Sequence, residues 1–69
     1  MTRRRLRQAF ETLDARARTL LSLSRLEGLE VREIASLVAA TPERVAREIA
    51  AAERSLRHAA ALTERRRRA

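Results

Sequence analysis

Apolar residues along this chain recur at intervals of three and four, the spacing that gathers side chains on one face of an α-helix, and no useful length alternates with period two. Leu6, Phe10 and Leu13 predict a first helix over 4–13. Asp14 stands where a short carboxylate accepts from the free amides of a second helix over 15–26. In that helix Leu20, Leu21, Leu23 and Leu26 span too wide an arc for one narrow stripe, so burial from two sides is expected. Gly28, the sole glycine, follows and suits a left-handed helix terminus because it carries no Cβ. Val31, Ile34, Ala35 and Val38 outline a short third helix, with Leu37 beside them. Glu30 precedes it in the capping position, where its longer side chain fits the local amide less well than serine or aspartate does.

Thr41 and Pro42 form the clearest boundary in the chain. A threonine hydroxyl caps exposed amides, proline occupies the first helical position without losing a needed donor, and Glu43 adds favourable charge to the first turn. A last helix over 42–63 then turns Val45, Ile49, Ala52, Leu56, Ala59 or Ala60, and Leu62 inward. Glu43/Arg47, Arg44/Glu48 and Glu53/Arg57 lie four apart and are expected to pair on its surface. The fold class that follows is all-α: a single domain over 1–69 with about four helices, the last two forming a helix-turn-helix. Its expected core is Leu20, Leu21, Leu26, Ile34, Val38, Val45, Ile49 and Leu56. Ala39 or Ala40 supplies the small residue needed where two helices turn closely.

These features have a family counterpart. Leu13 and Arg18 precede a hydrophobic helix, a Leu26-Glu27-Gly28-Leu29 turn follows, then Glu33-Ile34-Ala35, the Leu37/Val38 pair, Thr41, Val45, Ile49, Ala52 and Leu56-Arg57. In this order the stretch 13–57 resembles region 4, the C-terminal promoter-reading domain of sigma-70 family RNA polymerase sigma factors, especially the small extracytoplasmic-function type. The resemblance implies double-stranded DNA as a partner, read by the second helix of the motif, and contacts with the RNA polymerase core or an anti-sigma-like protein on other surfaces. Carried over residue by residue, it places Glu43, Arg44, Ala46, Arg47, Glu48, Ala50 and Ala51 on the DNA-facing side, with Arg54 as a further candidate. Glu48 would read a cytosine amino group there, since carboxylates accept from that edge.

The chain departs from the family pattern where it matters. Basic or polar groups are usual at the positions of Ala46, Glu48, Ala51 and Glu53, serine or threonine at Glu30, and glycine at Ala39. Two readings follow. One is a promoter-binding module with Glu43, Arg44, Arg47, Glu48 and Arg54 at the DNA; the other is a sigma-like module that binds a transcription protein or a second copy of itself through Phe10, Ala46, Ala50 and Ala51. Phe10 is the lone aromatic residue and is expected to pack or dock rather than stack on a base.

Charge refines this picture. The net charge is +7, every basic residue is arginine, and half of the 16 lie in the ends as Arg3, Arg4, Arg5, Arg7, Arg65, Arg66, Arg67 and Arg68. Residues 8–64 hold eight arginines against all nine acids, so the folded part is nearly neutral and phosphate attraction is expected from the ends. Without cysteine there is no thiolate chemistry. One histidine, His58, no glycine-rich phosphate loop and no base beside Ser22, Ser24, Ser36 or Ser55 point away from an enzyme, a metal site and any cofactor. Apolar runs such as 37–40 are too short to cross a bilayer, and the opening arginines lead into an amphipathic pattern rather than an export signal, so no membrane association and a cytoplasmic location are expected.

Overall fold

The computed structural model describes residues 3–68, with the side chains of Thr63, Arg66, Arg67 and Arg68 outside the description. Among the described residues the chain forms four helices: α1 (Arg3–Glu11), α2 (Ala15–Leu21) continuing into a π-helical turn (Ser22–Leu26), α3 (Val31–Val38) and α4 (Pro42–Arg68). The architecture is all-α, with α1, α2 and α3 each packed against α4. At about 1.5 Å per residue the 27 residues of α4 account for most of the 44 Å long axis of the molecule.

Local chemistry sets the breaks. The Asp14 carboxylate accepts from the Ala17 amide at 2.8 Å and starts α2. Thr41 Oγ1 accepts from the Arg44 amide at 3.2 Å and starts α4, with Pro42 in the first turn. Ahead of α3 Glu30 and Glu33 form a reciprocal capping box, in which the Glu33 carboxylate reaches back to accept from the Glu30 amide at 3.0 Å. This offsets the poor fit of glutamate as a forward cap. Gly28 lies at φ 69, just past the second helix, in the left-handed region that its missing Cβ permits.

One buried cluster joins the elements: Ala9, Leu13, Leu20, Leu21, Ile34, Ala35, Val45, Ile49, Ala52, Leu56 and Ala60. The inward face expected for α4 is observed at Val45, Ile49, Ala52, Leu56 and Ala60, whereas Leu62 is exposed and the helix continues to Arg68 instead of ending near 63. In the first helix the expected stripe is displaced. Ala9 and Leu13 are buried, Phe10 is half-buried against the core and Leu6 faces solvent. Small residues at Ala9, Ala52 and Ala60 take buried positions, where they allow helices to approach closely. The helix proper stops at Glu11, its end tightened by Thr12 and Leu13 amides donating to the Ala9 and Phe10 carbonyls.

Leu26 corrects the expected core most clearly, being 80% exposed. The Glu27 amide donates to the Ser22 carbonyl, five residues back, and this wider turn winds the chain through a smaller angle per residue than an α-helix would give. Leu26 consequently faces solvent, while Leu23 and Leu29 on either side stay half-buried. Val38 is also only half-buried, and Leu37 is exposed.

Candidate nucleic-acid interface

The α3–α4 unit has a tight connection. Ala39 ends α3 at φ 54, ψ 47, and the Ala40 amide donates to the Ala35 carbonyl, a bond of the kind that closes a left-handed helix terminus. Thr41 then caps α4, so only 39–41 separate the two helices. Val45 and Ile49 are buried beneath the start of α4, and Ile34 and Ala35 are buried on α3, so the opposite side of α4 is held outward on a fixed base. On that side Glu43, Arg44, Ala46, Arg47, Ala50, Ala51 and Arg54 are all exposed.

Glu48 is not displayed with them. It is half-buried and turns toward α2, where it accepts from Arg16 Nε at 3.1 Å and Nη2 at 2.9 Å, with Arg44 Nε 3.8 Å away. The hydrogen bonds from Arg16 hold the Glu48 carboxyl below the usual carboxylate range, with the charges of Arg16, Arg44 and Arg47 adding to the effect against a cost from burial. The same carboxylate raises the Arg16 pKa, through its hydrogen bond first and its charge second. Glu53 is turned inward in a similar way: its carboxylate lies 3.8 Å from Arg25 Nη2 in the π-helical turn, rather than on the expected partner Arg57. Both acids that the sequence pattern would present to a polyanion therefore have arginines from neighbouring elements beside them. Arg16 and Arg25 lie far from α4 in the chain, and no pattern within α4 points to either.

This arrangement is that of a helix-turn-helix whose second helix has arginines on its outer face. The family model for sigma-70, region 4, matches residues 3–56. The chain belongs to the sigma-70 region 4 family. Neither the search of curated proteins nor that of solved structures returned a match. Region 4 domains are not enzymes, and this one has no group of three His, Asp or Glu side chains placed to hold a metal among the described residues. His58 of the region 4 domain is exposed on α4, at the edge of a cleft that also includes Arg16, Glu48 and Arg54. No helix among the described residues is long and apolar enough to cross a membrane.

At the far end of the region 4 domain, Arg5 of α1 pairs with Glu64 of α4. The exposed Arg3, Arg4, Arg7 and Arg65 belong to the same two helices, α1 and the last turns of α4. The phosphate attraction expected of Arg66, Arg67 and Arg68 falls on side chains outside the described ones. Phe10 contributes to packing against the core, while Ala46, Ala50 and Ala51 are exposed on α4.

Proposed function

We propose that this region 4 domain binds double-stranded promoter DNA, with the N-terminal half of α4 in the major groove. The carrying observation is the exposed row Glu43, Arg44, Arg47 and Arg54 above the buried Val45 and Ile49, in a chain of this family. Arg47 and Arg54 are the base-contacting candidates, because a guanidinium donates two parallel hydrogen bonds to a guanine edge. Arg44 serves the adjacent backbone, and Glu43 accepts from a cytosine amino group if it reaches one. Glu48 acts as a support between α2 and α4 in this reading, not as a base reader. The arginines at the two ends add phosphate attraction without sequence preference. The activity belongs in the cytoplasm, alongside an RNA polymerase core.

Fluorescence anisotropy on a library of short duplexes tests this. Arg47→Ala is expected to compress the preference among duplexes by about 1–3 kcal/mol. Removing Arg65, Arg66, Arg67 and Arg68 is expected to weaken all duplexes alike and to lower the salt slope by about 0.9 for each phosphate that is no longer neutralised. Equal affinity for every duplex in the parent protein would overturn the reading.

The exposure of Ala46, Ala50 and Ala51 supports a second reading, in which this face meets an anti-sigma-like protein, the polymerase or a second copy of the chain. Arginine at Ala50 would then break a protein complex seen by light scattering, because a long hydrated side chain enters an apolar contact. The same substitution would tighten DNA binding if the face meets phosphates.

A further inference from the structure

We propose that Arg16 is a backbone-phosphate contact at the edge of the α4 DNA face, and that Glu48 is its built-in counter-ion, which a phosphate replaces when the duplex docks. The inference rests on the DNA-binding reading above and adds a residue from another helix to it. Arg16 presents Nε and Nη2 side by side to the two oxygens of Glu48, at 3.1 and 2.9 Å. This planar fork fits a phosphate as well as a carboxylate, so the geometry holding Glu48 is one that a nucleic-acid backbone can take over.

Position favours the exchange. Glu48 lies on α4 next to Arg47 and one turn after Arg44, both exposed, and its carboxylate is shared by Arg16 at 2.9 Å and by Arg44 at 3.8 Å. Two guanidinium groups thus converge on a single negative charge. The Arg16 side chain is 46% exposed, so solvent and a ligand reach it without rearranging the core. An ion pair this exposed adds little to stability, and giving up its partner for another anion costs correspondingly little. The carboxyl is held in its charged form by the hydrogen bonds of Arg16, so near neutral pH the competition is between two anions and not between an anion and a proton. With Glu48 in place, Arg16 contributes weakly to nonspecific attraction and fully only where the duplex fits closely enough to displace the carboxylate. Glu48 thereby restrains sequence-independent binding.

A double-mutant cycle on a random-sequence duplex, read by anisotropy over a salt titration, tests the proposal. Glu48→Gln is expected to tighten binding several-fold at low salt and to steepen the salt slope by about 0.9, the value for one further phosphate contact. Arg16→Ala is expected to weaken binding, and Glu48→Gln made in that background is expected to tighten it less than in the parent, because Glu48 acts mainly by occupying Arg16 and only the more distant Arg44 is then left to release. Equal effects of Glu48→Gln in the two backgrounds would reduce Glu48 to one more surface charge and overturn the proposal. Glu48→Asp is the second variant: it keeps the charge, shortens the reach to Arg16 and should tighten binding less than glutamine does. Unchanged binding in both Glu48 variants, with folding verified by circular dichroism, would also overturn it. Loss of preference among duplexes would defeat promoter reading while leaving the cycle intact. An additive cycle with that preference retained defeats this inference alone.

Discussion

Ala39 sits at φ 54, ψ 47, where its Cβ crowds the following carbonyl, and Gly28 sits at φ 69 with open space around the position a Cβ would take. The two sites share a positive φ and carry opposite residue choices. Ala39→Gly is expected to raise stability by about 0.5–1 kcal/mol, the relieved strain exceeding the added freedom of the unfolded chain. Gly28→Ala is expected to lower it by about 1 kcal/mol through strain alone, since no neighbour would be struck. Urea unfolding of both variants checks the pair, and changes of the same sign would contradict this account. Burial separates two further residues that have the same apolar character in the sequence. Ile34→Ala removes a fully buried side chain and should cost about 2–5 kcal/mol, whereas Leu26→Ala should stay within about 0.5 kcal/mol because Leu26 is solvent-exposed.

At the scale of elements, α4 carries two functions along one helix. Its first turns hold the outward arginines over the α3 contact, and its later turns support α1 through the stretch that buries Leu56 and Ala60. The Thr41 cap belongs to the first part, and Thr41→Ala should cost about 1 kcal/mol by chemical denaturation. The second part depends on docking. Ala9 has no exposed surface, so Ala9→Arg would force a long charged side chain into the α1–α4 contact and release α1. Amides of α4 beyond Leu56 should then exchange faster with solvent, while those around Val45 and Ile49 keep their protection. Uniform loss of protection along α4 would instead mark it as a single cooperative unit.

For the whole molecule, pH reports on how the helices are tied together. The Glu48 carboxyl titrates below its usual range in the folded protein, so the unfolded chain binds that proton more readily. The Arg16–Glu48 bridge therefore stabilises the fold above the unfolded glutamate value and loses its contribution as pH falls through the depressed folded value, in the range below about pH 4. A Tm measured across this range should fall less for Glu48→Gln than for the parent, and the difference should shrink in high salt because the pair is exposed. A parent and variant with parallel acid profiles would show that the bridge contributes nothing to the folded state.

The helices, their breaks and most of the buried stripe on α4 were legible in the chain because they depend on short-range chemistry. The Asp14 and Thr41 caps act three residues ahead, Gly28 relieves its own backbone, and Val45, Ile49, Ala52 and Leu56 share a face through helical period alone. The family was legible for the same reason, as a fixed order of such local features. Which face each acid served was not. Glu48 meets Arg16 across 32 residues, Arg5 meets Glu64 across 59, and Glu53 meets Arg25 of the π-helical turn, so each pairing exists only once the helices pack. The burial of Ala9 in place of Leu6 and the outward turn of Leu26 have the same origin: interhelical distance and one widened turn select among residues that a periodic pattern treats alike.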